Sequence, residues 1–403
     1  MQSPEHSTSR IRIVPVPGEA ATIAIPSDTV DKSLSDSVTD GLGQYSGAPF
    51  RVLAIDGGGV RGLIPSRILS ELESVSDQPI AALFDLIVGT SIGGIAALAL
   101  TVAGPDGFPL YTPDSATKLL AGHKDAIFPS DDLSVPRTVA EAREIASTVA
   151  RIGFAVTGRH RDRGNARYSP KPYETALSEF FGRAMLSSAV TPIVATAFDV
   201  LTDQPNHFRS VYASGRAGYD LSMATVARAV TAAPTFLPPV EVEWAGRRRV
   251  LVDGGVFANG ASLLAYTEAR IHAAAQGRSP EQILLVSLGT GQQHGSPDNT
   301  IDDFSRRHWV GLANRLMKAA EAGQHETHHR LLRQLLGDRY WRFQPVLPSD
   351  AVFGTDDTSD HQMAALETIA DEFVATSRSR IQRLSELLVA AGQQHRAPAA
   401  TSQ

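Results

Sequence analysis

The sequence predicts an α/β protein with a mostly parallel central sheet and helices on both of its faces. Three short apolar runs, each suited to a buried strand, lead directly into glycine-rich turns. The runs cover residues 50–55, 84–88 and 249–252, and the turns are Asp56-Gly-Gly-Gly, Gly89-Thr-Ser-Ile-Gly93 and Asp253-Gly-Gly255. Apolar residues at helical spacing follow the first two turns. Strands that alternate with helices in this way are typical of a parallel sheet covered on both sides.

The composition is that of a globular protein with a substantial core. Of the 403 residues, 42% are hydrophobic and 20% are charged, and the formal net charge of −6 gives no overall attraction to nucleic acid or to an anionic membrane. Cysteine is absent, which excludes disulfides, thiolate metal sites and cysteine nucleophiles. We expect a cytoplasmic protein, because the first residues lack a signal-peptide pattern and no apolar stretch is long enough to cross a membrane.

The distribution of residue types predicts three segments. Residues 1–47, rich in Ser, Thr, Pro, Asp and Gly, are expected to form a largely disordered leader. Residues 48–345 are expected to form the main domain, and residues 346–403 a C-terminal helix with a flexible tail. Within the main domain, a predicted helix over 140–155 precedes a basic loop over 159–167. We expect a lid or substrate wall here, whose arginines either meet lipid phosphates or are simply solvated.

The remaining elements follow from apolar patterns and the residues that interrupt them. We predict strands over 192–200, 207–212, 282–288 and 340–343, and helices over 222–233, 303–336 and 359–391. A further helix is predicted from Ala261. Asn259 is predicted to be its N-cap, because Asn is among the preferred capping residues.

The three glycine-rich turns are expected to form one site. The carboxyl ends of parallel strands lie at one edge of a sheet, and turns that follow them converge there. Ser91 lies in a Gly-x-Ser-x-Gly turn between a strand and a helix, an arrangement that exposes a nucleophilic hydroxyl. Asp253 offers a carboxylate base, and the amides of Gly57, Gly58 and Gly59 can bind an oxyanion. Acyl transfer by this serine therefore needs no histidine.

The three turns, in this order along the chain, resemble the signature blocks of the patatin-like phospholipase family. The similarity covers about residues 51–291 and includes Asp56-Gly-Gly-Gly-Val-Arg-Gly62, Tyr168-Ser-Pro-Lys-Pro172 and Leu288-Gly-Thr-Gly291. The resemblance implies a three-layer α/β/α fold and a Ser–Asp dyad that hydrolyses lipid acyl esters, as a phospholipase A does. It implies no cofactor, a phospholipid or membrane surface as partner, and peripheral association with the membrane during catalysis.

The resemblance also implies a role for each motif residue. Ser91 is the nucleophile, Asp253 is the base, the amides from Gly57 to Gly59 form the oxyanion hole, and Arg61 anchors their loop. The supporting residues are Gly62, Gly89, Gly93, Gly254 and Gly255.

The third block departs from the family pattern. The family usually continues it as Asp-Gly-Gly-x-x-x-Asn-Asn-Pro, whereas this chain has Asn259-Gly-Ala261. We expect the change to loosen the turn that positions the Asp253 loop, without removing activity.

The sequence leaves several alternatives open. Residues 323–343 resemble bacterial patatin-like effectors, some of which are phospholipases switched on by cyclic dinucleotides in anti-phage defence. This weaker resemblance implies a cyclic dinucleotide activator, although the chain holds no nucleotide-reading motif. A homo-oligomer is one alternative for the quaternary state. The same dyad would serve an acyltransferase, and a catalytically dead binding or scaffold protein is a hypothesis of another class.

Two further motifs suggest other chemistry on weaker grounds. His325-Glu-Thr-His-His329 matches the His-Glu-x-x-His zinc pattern, but no third ligand follows at the usual spacing. We therefore expect no metal. The glycines from Gly57 to Gly62 match part of a dinucleotide fingerprint, without a Gly-Lys-Ser/Thr sequence or a convincing ribose-binding acid, and predict no nucleotide chemistry.

Overall fold

A computed structural model describes residues 48–122, 166–293, 313–348 and 353–396 of the chain. The predicted leader 1–47, the predicted helix 140–155 and most of the basic loop 159–167 lie outside these ranges. The strands are β1 Phe50–Ile55, β2 Leu86–Thr90, β3 Ile193–Asp199, β4 Gln204–Arg209, β5 Val240–Trp244, β6 Arg247–Asp253, β7 Ile283–Leu288, β8 Gln292–Gln293, β9 Tyr340–Phe343 and β10 Val346–Leu347.

The helices alternate with these strands along most of the chain. They are α1 Leu63–Ser76, α2 Ile80–Leu83, α3 Ile92–Ala99, α4 Ser115–Gly122, α5 Pro170–Phe181, α6 Ser210–Ala213, α7 Met223–Val230, α8 Gly255–Ala258, α9 Ser262–Ala275, α10 Ala313–Leu336 and α11 Asp360–Arg396. A 3-10 turn, Gly59–Gly62, joins β1 to α1. In the described parts of the chain, no helix is both long enough and apolar enough to pass through a bilayer.

The central sheet has the strand order β5-β6-β3-β2-β1-β7-β9, with β4 also paired to β3. Strands β3, β2, β1, β7 and β9 run parallel to their neighbours in this series. Strands β4 and β6 run antiparallel to β3, and β5 pairs antiparallel with β6. The predicted α/β class with a mostly parallel sheet is confirmed.

Alternating residues of the strands feed two separate cores. Leu53 of β1 and Val286 of β7 belong to the larger core, which also holds apolar residues of α1, α3, α7 and α11. Val52 and Leu285, their neighbours in sequence, belong to the second core, which α9 and the end of α10 cover. Successive side chains of a strand point to opposite faces, so the sheet lies between two helical layers. The three-layer α/β/α arrangement is thereby confirmed.

Helix α11 packs along α1 on the larger core. Its side chains Leu366, Ile381 and Leu388 are buried there with apolar residues of α1. Ion pairs flank this contact, among them Arg67 with Asp371 at 2.9 Å. The C-terminal helix is therefore part of the main hydrophobic core, and the division of the chain at residue 345 stays a prediction.

Two elements of the antiparallel part differ from the predictions. The strand predicted over 207–212 is wrong in position: β4 begins at Gln204, and the short helix α6 begins at Ser210. Polar residues and Pro205 conceal the start of β4, which tolerates proline because it lies at an edge of the described sheet. The Ser210 hydroxyl accepts a hydrogen bond from the Ile193 amide at 3.0 Å, which ties the start of α6 to β3. Strand β5 was not predicted.

The antiparallel strand β6 brings the third glycine-rich turn to the first two. Strand β4 pairs with one side of β3, while β2 and β6 share the other side. Strand β2 ends at Thr90, opposite Thr196, and β6 ends at Asp253, opposite the next residue, Ala197. The two strands therefore meet end to end. The expectation that all three turns follow parallel strands is wrong, but the turns still converge.

Candidate active site

Ser91 occupies the sharp turn between β2 and α3. Its backbone has φ 55° and ψ −125°, a conformation whose strain is about 1–3 kcal/mol for a residue with a side chain. A Cβ at Gly89 would lie 2.1 Å from the Gly93 carbonyl oxygen, and one at Gly93 would lie 2.2 Å from that of Ile55. Only glycine allows the backbone to pass this closely at both positions. The sequence therefore imposes a tight turn that carries the serine.

Asp253, the last residue of β6, lies in hydrogen-bond contact with this serine. The Ser91 hydroxyl donates to Asp253 Oδ2 at 2.6 Å. The other carboxylate oxygen, Oδ1, accepts a hydrogen bond from the Gly255 amide at 2.7 Å. A Cβ at Gly254 would lie 2.2 Å from the Thr196 hydroxyl oxygen, so this position also needs glycine. The carboxylate is fixed from both sides, with one oxygen facing the serine.

Burial makes Asp253 a stronger base than an ordinary aspartate. The side chain is almost completely buried, and burial raises the pKa of Asp253 to about 6. The hydrogen bonds from Ser91 and Gly255 act against this rise, and the negative charge of Glu321 adds to it. A pKa of about 6 leaves the carboxylate ionised at neutral pH and suited to accept a proton during catalysis.

The glycine loop after β1 lies against the dyad. The Gly57 amide donates to the Asn259 carbonyl oxygen at 2.9 Å and is therefore already engaged. The amides of Gly58 and Gly59 have no recorded acceptor among the described residues. Of the three amides predicted for the oxyanion hole, the structure leaves these two available for a ligand.

Two threonines distant in sequence hold this glycine loop. The Thr290 hydroxyl donates to the Gly57 carbonyl oxygen at 2.7 Å, and a Cβ at Gly58 would lie 2.3 Å from the same hydroxyl oxygen. Gly59 has φ +57°, and a Cβ there would lie 1.9 Å from the Thr355 carbonyl oxygen. Thr290 lies in the predicted Leu288-Gly-Thr-Gly block, whereas no sequence signal identified Thr355.

Arg61 lies at the base of the glycine loop. Its Nε donates to the Gly58 carbonyl oxygen at 3.4 Å, a long contact. Burial lowers the pKa of Arg61, and the nearby Glu321 carboxylate acts in the opposite direction. A Cβ at Gly62 would lie 2.6 Å from the Ile92 side chain, so the start of α1 packs closely on α3. The anchoring role of Arg61 stays a prediction.

Asp56 braces the glycine loop against the turn after Asp253. Its Oδ1 accepts the Ala261 amide at 3.0 Å, and its Oδ2 lies 2.7 Å from Arg342 and 3.5 Å from His325. The prediction that Asn259 caps the following helix is wrong. Its side chain bonds elsewhere, and the N-cap position is Ala261, whose amide uses the Asp56 carboxylate.

The zinc-like motif lies on α10, where its side chains have other contacts. His325 packs on Gly260 and faces Asp56, while Glu326 pairs with Arg330 at 2.6 Å. His329 lies near the Tyr340 ring, with 5.6 Å between the ring centroids. Among the residues that the structure describes, no three acidic or histidine side chains are grouped as metal ligands would be.

The family model and three relatives that match this chain are all patatin-like. The family model for patatin-like phospholipases matches residues 53–265, a span that includes both Ser91 and Asp253. A patatin-like protein 2 from Oryza sativa subsp. indica is 28% identical over 293 residues, which is 67% of each chain. A patatin-like protein 2 from Arabidopsis thaliana is 30% identical over 261 residues, 60% of this chain and 59% of that protein. A patatin-like protein 1 from the same rice is 28% identical over 378 residues, 84% of this chain and 85% of that protein.

Proposed function

Because the chain belongs to the patatin-like phospholipase family, we propose that it is a phospholipase of the A type. It would cleave acyl esters of phospholipids through Ser91 and Asp253. Family membership supports the hydrolysis of lipid esters. The observation that supports cleavage through these two residues is the 2.6 Å hydrogen bond from the Ser91 hydroxyl to the buried Asp253 carboxylate. A nucleophile and its base must lie within this reach for proton transfer.

In the first half of the proposed reaction, Ser91 attacks the ester carbonyl carbon while its proton moves to Asp253. The carbonyl oxygen becomes an oxyanion, which the amides of Gly58 and Gly59 stabilise. The tetrahedral intermediate then collapses, the bond to the lysolipid oxygen breaks, and that oxygen takes the proton from Asp253. An acyl group remains on Ser91.

In the second half, water takes the place of the lysolipid. Asp253 accepts a proton from the water, whose oxygen attacks the acyl carbon of the Ser91 ester. Collapse of the second tetrahedral intermediate releases the fatty acid and returns the proton to the serine oxygen. The raised pKa of Asp253 supports both proton transfers, because a stronger base accepts a proton more readily. The substrate lies in a bilayer, so the proposal includes peripheral contact with a membrane surface.

A hydrolysis assay with a matched serine control tests this proposal. Phosphatidylcholine vesicles are incubated with wild type, Ser91→Ala and Ser188→Ala, and released fatty acid and lysolipid are measured by mass spectrometry. Ser188 is exposed, and among the described residues its hydroxyl bonds only the Met185 carbonyl oxygen of its own turn, so its loss should leave activity unchanged. Loss of the nucleophile should lower kcat by at least about 10³-fold. Full activity of a folded Ser91→Ala protein would refute the assignment.

Two additions to this assay test the alternatives. Added lysolipid or monoacylglycerol would accept the acyl group if the enzyme is an acyltransferase, which would reduce the yield of free fatty acid. Parallel reactions with and without cyclic dinucleotides test for an activator. An inert protein that also fails to react with a fluorophosphonate would favour the binding or scaffold hypothesis.

A further inference from the structure

Helix α10 contacts the loop that follows the base. The Glu321 carboxylate accepts a hydrogen bond from Nδ2 of Asn259, and the Gln324 side chain donates to the Phe257 carbonyl oxygen. The two loop residues lie just after Asp253, whereas their partners lie more than 60 residues further along the chain. Helix α10 therefore holds the loop that carries Asp253, through contacts that the family motifs do not include.

The Asn259 amide lies between the two loops of the site. A Cβ at Gly57 would lie 2.0 Å from Asn259 Oδ1, and one at Gly255 would lie 3.4 Å from the same oxygen. An ionised carboxylate can only accept hydrogen bonds. Asn259 must therefore turn its NH₂ group to Glu321 and its oxygen to the two loops. Glu321 decides which end of this amide faces the site.

Gly260, where this chain departs from the family pattern, lies at the point where α10 packs against the loop. Where the family usually has a second Asn, this chain has Gly260. A Cβ at this position would lie 3.3 Å from the His325 ring, a distance shorter than most contacts that Cβ atoms make in proteins. A larger side chain at 260 would push against the helix. The glycine thus gives α10 the space to place Glu321 beside Asn259.

We propose that Glu321 is a positioning residue of this site, which orients the Asn259 amide and keeps a negative charge beside the dyad. The inference rests on the proposed hydrolase function. The charged and titratable groups around the pair include Arg61, which interacts with Glu321, and Tyr173, which interacts with Asp253. The Glu321 charge raises the pKa of Asp253 and thereby strengthens the base for its reaction with the serine.

Removal of the charge at constant shape tests the inference. In Glu321→Gln, the new amide oxygen can still accept from Asn259, so the contact remains and the charge is lost. The acid limb of the pH profile of kcat/KM, measured with a soluble p-nitrophenyl ester, should move to lower pH by about half a unit to one unit. This is the shift that loss of one partly screened charge produces in the pKa of Asp253. At neutral pH, the weaker base should lower kcat and leave KM unchanged. Glu321→Leu, which also loses the contact, should lower kcat further.

Glu326→Gln is the matched control, since it makes the same chemical change on the same helix. Glu326 pairs with Arg330 and has no recorded contact with the Asp253 loop among the described residues. Its pH profile should coincide with that of the wild type. A Glu321→Gln profile that also coincides with the wild type would overturn the inference.

Direct titration of Asp253 separates this inference from the proposed function. The ¹³C signal of the Asp253 carboxyl, assigned by its absence in Asp253→Asn, reports the pKa without any turnover. A lower pKa in Glu321→Gln than in wild type supports the role of Glu321 even if Ser91→Ala proves fully active. An unchanged pKa, in a protein whose hydrolysis does depend on Ser91, would leave the hydrolase assignment intact and refute the role of Glu321.

Discussion

The buried base should weaken the fold that holds it, and Asp253→Asn should therefore stabilise the protein. Burial raises the pKa of Asp253 from 3.8 to about 6, which means that the folded state binds this proton more tightly than the unfolded state. Stability is then lost as the pH rises from about 4 through about 6. Since each pKa unit corresponds to about 1.4 kcal/mol, the ionised carboxylate costs the folded state about 3 kcal/mol above this window.

The asparagine variant should escape this cost without losing its contacts. Asn can accept the Gly255 amide with its oxygen and donate to the Ser91 hydroxyl with its NH₂ group. Urea unfolding should show the variant more stable than wild type by about 3 kcal/mol at pH 7.5 and by about half of that at pH 5. Asp338→Asn, which changes an exposed carboxylate, is the control and should show no such trend. A stability difference that is negative, or constant between the two pH values, would refute the reasoning.

Three further predictions concern the same region. Gly93→Ala should lower the free energy of unfolding by several kcal/mol and abolish activity, because its Cβ would lie 2.2 Å from the Ile55 carbonyl oxygen. Thermal unfolding and ester hydrolysis check this, and a stable, active variant would contradict it. Arg342→Met leaves the fully buried Asp56 without its 2.7 Å partner and should destabilise by about 3–5 kcal/mol in urea unfolding, whereas a loss below about 1 kcal/mol would show that the pair is unimportant. The kcat/KM of the wild type should fall tenfold per pH unit below about pH 6, as the Asp253 carboxylate takes up a proton; a flat profile down to pH 5 would exclude this base.

The parts of the molecule that the sequence predicted are those with local signals. Glycines two residues on either side of Ser91 follow from the close approach of strand and helix, which leaves no space for a Cβ. Mainly apolar segments of six or seven residues identified β1, β3 and β7, because these strands are buried over nearly their whole length. The edge strand β4 was misplaced, since its exposed first half is polar and carries no alternation.

The parts that the sequence could not predict depend on contacts between distant residues. Nothing local indicates that β6 runs antiparallel and meets β2 end to end, because strand direction is decided by pairing with β3. The preference of Asn for N-caps suggested the wrong role for Asn259, whose side chain is instead bound by Glu321. Neither Glu321 nor Thr355 lies in a motif, and each reaches the site only when its segment folds onto the sheet.

In the proposed mechanism, Ser91 alone carries the acyl group during catalysis. A fluorophosphonate that reacts with activated serines, followed by peptide mass spectrometry and a parallel hydrolysis assay, tests it most directly. We expect one adduct per chain, on Ser91, with lipid ester hydrolysis lost in proportion to labelling and with slower labelling in Asp253→Asn. An adduct on a different residue, or full hydrolysis by completely labelled protein, would contradict it.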